Sequence, residues 1–487
     1  MNTQFKDKVG WHFDHSYINL PKDFFIEQLP IKVKSPKLIL LNEALLKSLG
    51  LNKEALSLEA WSDIFSGNKI PEKANPIAQA YAGHQFGHFT QLGDGRAVLL
   101  AEQINPDGKR FDIQFKGSGQ TAFSRRGDGR AALGPMLREY IISEAMHALN
   151  IPTTRSLAVV VTGENVIRDE VLPGAILTRV AKSHIRVGTF QYASTLNDVN
   201  KLKALADYTI DRHYPECREK DNPYLAFLNA VIERQASLIS QWLHIGFIHG
   251  VMNTDNMSIS GETIDYGPCA FMDRYHPETV FSSIDRQGRY AYKNQAPIAQ
   301  WNLARFAETL LPLIDQDIDK SIELASQAVN SFSDQFQTAW LKGMRQKIGL
   351  FDEKAEDINL INELLILMQK NKADYTLTFR HLSSDAIFKD AIFTDPSFQA
   401  WYKNWIHRMQ NQDEGEEASK SMMLKFNPAI IPRNHLVEKA LSLAVMEQDY
   451  NFLNDFIVAL LKPYEESKEF SEAPLEEDKS YQTFCGT

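Results

Sequence analysis

Between Tyr81 and Ala181 apolar residues gather in short runs, AVLLAEQI, FDIQFKG, SLAVVVTG and AILTRVA, set apart by frequent glycine, the pattern of β-strands joined by turns. Asn105-Pro106-Asp107-Gly108 divides the first two runs, and its Asp-Gly pair supplies the positive φ angles of a tight turn, which predicts an antiparallel hairpin. One stretch in this zone, MLREYIISEAMHALN, has helical period: Leu137, Ile141, Ile142, Ala145, Met146 and Leu149 form a stripe that ends at Asn150 and Pro152. From Leu202 onward helical period dominates, in YLAFLNAVIERQASLISQWLHIG and WNLARFAETLLPLI, with a compact interruption from Phe247 to Asp273 that reads as two short strands around a polar loop. Ahead of these, Trp11 to Asn75 mixes aromatics and prolines with short helical patterns such as LILLNEALLKSLG, and reads as an N-terminal extension. Past about Ser333 the chain is helical and polar. Its last stretch, PYEESKEFSEAPLEEDKSYQTFCGT, is acidic and interrupted by proline, and is predicted to pack loosely.

The pattern therefore predicts an α+β protein in four parts: an extension (1–75), a β-rich lobe (76–200), a helical lobe (201–330) and a further helical region with an acidic tail (331–487). Composition narrows the class. With 487 residues, 44% apolar and 23% charged, the chain has the make-up of ordinary globular domains. The charge of −10 argues against a general nucleic-acid binder, whose affinity rests on basic residues facing phosphates. Three cysteines without a CxxC pair exclude a disulfide framework and a cysteine-built zinc site and suit a reducing cytoplasm. The start of the chain lacks a signal-peptide run, and no apolar stretch is long enough to span a membrane, so a cytoplasmic protein without membrane partners is expected.

Candidate chemistry begins with Lys116, at the end of a predicted strand, and Glu139, on the helix that follows. A strand lysine paired with a helix glutamate is how protein kinases hold phosphates, although an ordinary strand-end lysine and a solvated glutamate share the pattern. Residues 246–267, GFIHGVMNTDNMSISGETIDYG, strengthen the kinase reading: Asn256 and Asp265 fall where kinases place their two metal ligands, and an amide and a carboxylate oxygen suit Mg²⁺ at a nucleotide. Val251 stands where a kinase carries its catalytic Asp and cannot accept a proton. The nearest carboxylate is Asp255, either a relocated proton acceptor or a turn cap. Arg96, Arg125, Arg126, Arg130, Arg179 and Arg186 crowd around these elements and suggest a polyanion pocket. GDGRA occurs twice, at Gly93–Ala97 and Gly127–Ala131, as a turn used twice or as an anion cradle. His84 and His88 have zincin spacing, but Gln85 replaces the glutamate such a site requires. Ser118 and Ser124 lack a nucleophile elbow. Cys485 lies on the tail, where a thiol open to oxidation or to pairing with Cys269 predicts redox modulation.

The segments YAGHQFGHFTQLGDGRAVLLAE, FKGSGQTAFSRRGDGRAALGPMLREYIISEAMHALNIPTTRSLAVV, LTRVAKSHIRVGTFQ and GFIHGVMNTDNMSISGETIDYGPCAFMD resemble the selenoprotein O family, and the likeness extends to WHFDHSYINLP and NPAIIPRNHLVEKAL. The resemblance implies a two-lobed, protein-kinase-like fold that binds ATP inverted. It also implies transfer of AMP to Ser, Thr or Tyr hydroxyls of proteins, including itself, with Mg²⁺ or Mn²⁺ and with UTP as a second donor. It implies nucleotide contacts at Gly93, Gly95, Arg96, Lys116, Asp128, Gly129, Arg179 and Arg186, with Glu139 as the partner of Lys116. Asp255 is then the proton acceptor, and Asn256 and Asp265 hold the metal, Asp265 also facing the nucleotide. Cys485 takes the place of the selenocysteine found third from the end in some members, and a monomer is expected. Two alternatives stand beside this reading: a γ-phosphoryl kinase, and a non-catalytic nucleotide-binding scaffold.

Overall fold

In the computed structural model, which describes residues 8–384, 391–474 and 481–484, the β-type runs pair as the turn chemistry predicts. Ala97–Ile104 and Arg110–Lys116 form an antiparallel hairpin, and in its turn the Asn105 side chain accepts the N–H groups of Asp107 and Lys109. Arg155–Ile167 and Val171–Ala181 form a second, longer hairpin. The sheet runs in the order Phe25–Glu27, Ile77–Gln79, Ala97–Ile104, Arg110–Lys116, Val171–Ala181, Arg155–Ile167, Lys37–Leu41, with short strands Phe13–Asp14 and Ala131–Ala132 alongside. The fold is α+β.

Side-chain alternation gives this sheet two different faces. Ile113, Phe115, Ile176 and Val180 point to one face, where helices Glu43–Ser48 and Leu58–Phe65 cover them with Leu45, Leu46, Trp61 and Phe65. Residues 8–75 thus add strands to the sheet and close its outer side. On the other face Gln114 stands against Arg179 and Lys116 against Leu177, so the register sets the lysine and the arginine diagonally on one surface. Helix Leu133–Ala148 packs on the long hairpin from that side, with its predicted stripe buried. Glu139, Ser143 and Glu144 are buried as well, so burial extends well beyond the apolar stripe, and Glu144 is matched by Arg155 at 2.6 and 2.8 Å.

The remaining helices come after the sheet. Val187–Thr195, Val199–His213, Pro223–His244, Gln295–Ile314 and Ile318–Lys347 pack together, and between the third and fourth the strands Phe247–Ile248 and Ala270–Phe271 pair as expected. No helix among the described residues is long and apolar enough to cross a membrane.

Two expectations need correction. LILLNEALLKSLG is not one helix: Lys37–Leu41 is a strand on Arg155–Ile167, and only Glu43–Ser48 is helical, capped by Asn42 accepting the Leu45 N–H at 3.0 Å. The free edge of Arg155–Ile167 offers ladder hydrogen bonds that outweigh the local period. The tail, where described, is anchored rather than loose. Phe470 is buried against Phe452 and Phe456, the Thr483 N–H bonds Phe281 O at 2.8 Å, and Tyr481 bonds Arg138 and Glu438 at 3.2 and 2.9 Å. Glu465, Glu466 and Glu469 stay exposed between these anchors, so acidity does not oppose docking.

Candidate active site

Lys116, Glu139 and Asp265, distant in sequence, meet at the inner face of the sheet. Lys116 Nζ lies 2.5 Å from Glu139 Oε2 and 2.9 Å from Asp265 Oδ1. Arg179 donates to the same Asp265 oxygen at 2.6 Å and to Gln114 Oε1 at 2.6 Å, and lies 3.3 Å from Glu139. Arg186 donates to Asp265 Oδ2 at 2.8 Å and to the Asp255 carbonyl at 2.9 Å, with its guanidinium 4.6 Å from the Tyr81 ring centroid. Lys116, Glu139, Arg179 and Arg186 are each at most 5% exposed. Burial alone would raise the Asp265 carboxyl, but Lys116, Arg179 and Arg186 hold it well below the usual carboxylate range. Asp265 also sits at φ 63°, in the left-handed region, so backbone strain falls on the residue where the cations converge.

The loop carrying Asp255 is fixed from below and covered from above. Gln295 and Asn302, on Gln295–Ile314, donate to Phe247 O at 2.9 Å and Met252 O at 3.0 Å. Asp255 is buried, and burial, offset in part by Arg186, pushes its carboxyl up to about 6. Its Oδ1 has no hydrogen-bond partner. Over it lies a hairpin of Ala82–Gln85 and His88–Gln91, held by the His84 N–H on Thr254 Oγ1 at 2.7 Å and the Phe86 N–H on Asn253 Oδ1 at 3.0 Å. A Cβ on Gly83 would come within 2.4 Å of Asp255 Oδ1, so only glycine fits there. His84 and His88 therefore belong to a hairpin, not to one face of a helix, and the His84 ring is engaged with Gln191 at 2.7 Å.

Asn256 donates its amide N–H to Val251 O at 3.0 Å, a bond that does not use its amide oxygen. That oxygen and the Asp265 carboxylate are hard donors of the kind Mg²⁺ or Mn²⁺ takes. Among the described residues no group of three or more His, Cys, Asp or Glu could hold a metal, so a cation here depends on oxygens from a phosphate as well.

The structure does not gather every predicted nucleotide residue into this cluster. Gly93 and Gly95 pack against Phe123, so the first GDGRA loop rests on the segment leading to the second. The Arg96 carbonyl accepts the Gly117 N–H at 2.7 Å, just past Lys116. Asp128 forms a two-pronged ion pair with Arg168 at 2.9 and 3.0 Å, and Gly129, at φ 66°, lies against the Gly119 backbone. Arg130 bonds the carbonyls of Ile31 and Lys32, and Arg125 that of Gln91. Of the six arginines, Arg179 and Arg186 enter the cluster. Cys269 is fully buried and its thiol is pushed up to about 12, while Cys485 lies outside the described residues.

Three residues without a predicted role line the cluster: Tyr81 under Arg186, Gln114 beneath Arg179, and Asp94. Asp94 is buried, pushed up to about 6 by burial against the pull of Arg186, and accepts from Gln79 N–H at 3.1 Å and from Gln114 at 3.2 Å. Asp94 lies inside GDGRA, where its own segment reads as a turn aspartate between glycines.

Residues 8–461, which include the whole cluster, match the model of a family described as protein adenylyltransferase SelO. The chain belongs to the SelO family. It is 57% identical over 485 residues to a protein nucleotidyltransferase YdiU of Bacillus cytotoxicus, with 99% of each chain covered. Its identity to the protein of that name from Bacillus thuringiensis subsp. konkukian is also 57%, over 484 residues and 99% of each chain. In this SelO-family chain Lys116, Glu139, Arg179, Arg186, Asp255, Asn256 and Asp265 therefore all lie within the family match.

Proposed function

We infer that this chain is a protein nucleotidyltransferase that moves AMP from ATP to Ser, Thr or Tyr hydroxyls of proteins, its own included, and releases pyrophosphate, with UTP as a second donor. The observation that carries this reading is the pairing of a three-cation cluster, Lys116, Arg179 and Arg186, with a partnerless buried Asp255 carboxylate oxygen, while buried Val251 fills the place of a kinase base. Such a site favours a nucleotide whose distal phosphates lie among the cations and whose α-phosphorus faces Asp255. Supporting the kinase-like, two-lobed reading are the sheet with its lysine–glutamate pair and the helices that follow. The boundaries near residues 75, 200 and 330 belong to that reading, as do a cytoplasmic monomer and the absence of nucleic-acid partners.

In the reaction Asp255, ionised above pH about 6, takes the proton of the acceptor hydroxyl. The hydroxyl oxygen attacks the α-phosphorus, and the bond from that phosphorus to the bridging oxygen of pyrophosphate breaks. Lys116, Arg179 and Arg186 receive the charge that develops on the departing pyrophosphate, turning from Asp265 to phosphate oxygens. Glu139 keeps Lys116 in place. Gly93, Gly95, Arg96, Asp128 and Gly129 shape the glycine-rich loops on the nucleotide's side. Asn256 and Asp265 would hold Mg²⁺ or Mn²⁺, which supplies neutralisation of phosphate charge. Incubation with ATP labelled on the α or the γ phosphate tests the reading: α-label on protein together with free pyrophosphate is expected, whereas γ-label alone would establish a kinase, and ATP binding with neither label a scaffold.

A further inference from the structure

Beside Asp255 lies a rim of aromatic rings and arginines that the transfer chemistry does not use. Tyr290 donates its hydroxyl to Asn253 Oδ1 at 2.7 Å, and Phe86, at the hairpin tip, meets the Tyr290 ring edge-on at 5.2 Å. Trp301 is met by the His84 ring at 5.3 Å and by the guanidinium groups of Arg289 and Arg305 at 5.0 and 5.1 Å. Arg289 also lies 5.7 Å from the Tyr290 ring. Arg305 is paired with Glu308 at 2.5 Å, but no carboxylate among the described residues pairs with Arg289, and its Nε is buried without a partner. The nearest carboxylate in sequence, Asp285, is taken by the N–H groups of Arg289 and Tyr290 at 2.9 and 2.8 Å. Arg286 adds a further exposed cation.

A guanidinium beside aromatic rings and without a carboxylate of its own retains N–H donors that match a carboxylate two bonds at a time. Tyr290, which Arg289 adjoins, reaches the Asp255 loop through Asn253, so in a chain of charge −10 this arginine stands one residue from that loop without an acid of its own. We propose that this shelf reads the acceptor protein: Arg289, seated on Trp301 and Tyr290, pairs with an Asp or Glu flanking the hydroxyl residue to be modified. The proposal rests on the nucleotidyltransferase reading above and deepens it by naming the acceptor as an acidic segment.

The test uses the full chain, α- and γ-labelled ATP, and peptides carrying one serine flanked by Glu, Gln or Lys. The Glu peptide should be labelled with kcat/KM about tenfold above the Gln peptide, the Lys peptide being poorest. Arg289→Glu should invert that order, a gain for the Lys peptide that misfolding cannot produce, and Arg289→Gln should flatten it through KM for peptide with ATP affinity unchanged. Equal labelling of the three peptides by the unaltered chain, or loss of all three alike in both variants, would overturn the shelf. If the γ-label is transferred instead of the α-label, the nucleotidyltransferase reading fails, while the order of the peptides still decides the shelf. Neither label on any peptide overturns both.

Discussion

Asp265 and Asp357 are both aspartates gripped by arginines, and they differ in backbone conformation and in how completely their surroundings are paired. Asp357 opens the helix Asp357–Lys370, is fully buried, and receives Arg345 and Arg408 at 2.8 Å each and the Lys354 N–H at 2.9 Å. Glu353 and Asp352 take what remains of the arginine charge, at 3.0 and 2.8 Å. Around Asp357 the carboxylates balance the cations, and no buried side-chain atom of these residues lacks a partner. Around Asp265 three cations, Lys116, Arg179 and Arg186, converge on one carboxylate, with Glu139, Asp94 and Asp255 adjoining, the backbone is strained, and Arg179 Nε, Arg186 Nε and Asp255 Oδ1 are buried without partners. The network around Asp357 closes on itself, whereas the one around Asp265 leaves buried hydrogen-bonding atoms unpaired, as expected where a ligand is to complete them.

Exchanging each aspartate is the strongest way to break this comparison. Asp265→Ala should lower transfer by at least about 1000-fold, because it removes both a metal ligand and the anchor of three cations. Asp357→Ala should instead cost about 3–5 kcal/mol of stability, as expected when one partner of a buried pair is removed, with turnover of the folded fraction within about threefold. Denaturant titration and single-turnover kinetics on both variants decide the matter. Equal turnover losses would mean that Asp265 is as structural as Asp357.

Asp255 sharpens the contrast through pH. Asp255→Asn should cost about 10²–10⁴-fold in kcat, the usual price of a lost base. In the unaltered chain kcat/KM should rise with pH through about 6 and level off above it, since the carboxylate works ionised. Stability runs the other way. The folded value, about 6, lies above the ordinary 3.8, so between these limits the folded chain binds more protons than the unfolded one and stability falls as pH rises. At pH 7.5 Asp255→Asn removes a buried anion and should raise Tm while abolishing most transfer. A lower Tm together with unaltered kinetics would make Asp255 the turn cap that the sequence left open.

Next in size is Gly83→Ala. A methyl 2.4 Å from Asp255 Oδ1 must lift the hairpin or displace the carboxylate, so transfer should fall about 10- to 100-fold with a stability loss of about 1–3 kcal/mol. An Ala variant with unaltered turnover would show that the hairpin does not bear on the base.

These residues also mark how far the sequence could be read. The Asn105–Gly108 hairpin and the Leu133–Ala148 helix were legible because turn chemistry and period are local, and with them the Lys116–Glu139 pair. Strand Lys37–Leu41 was not, because its identity depends on a partner edge more than a hundred residues away. The convergence of Arg179 and Arg186 on Asp265 shows only in the register and the loop path, although residue type alone makes both arginines candidates for holding phosphate. Asp94 and Gly83 escaped because nothing in their own segments distinguishes them from turn residues, and the second side of each contact comes from Gln114 or Asp255.

The smallest effect tests whether perturbed titration alone marks function. Lys347 is fully buried at the end of Ile318–Lys347, far along the chain from the cluster, and burial pushes its amine down to about 7. Its ammonium lies 4.1 Å from the Phe379 ring centroid and 5.4 Å from that of Tyr375, and donates to Asn427 Oδ1 at 3.0 Å. Here a depressed amine belongs to packing: rings and an amide surround it, and none of the residues of the Asp265 cluster is among its partners. Between pH 7 and the ordinary 10.5 the unfolded chain holds the proton that the folded chain has released, so stability should rise with pH across that window. Lys347→Met removes this slope, and it also leaves Asn427 Oδ1 without its donor, a loss of about 1–3 kcal/mol that offsets the relief of the buried amine. The net change at pH 7.5 should stay within about 2 kcal/mol, with transfer unaltered. Unfolding measured at pH 7 and pH 9.5 should show the slope in the unaltered chain and its loss in the variant. A variant that kept the slope would assign it to another group, and one that lost transfer would bring Lys347 into the working half of the comparison.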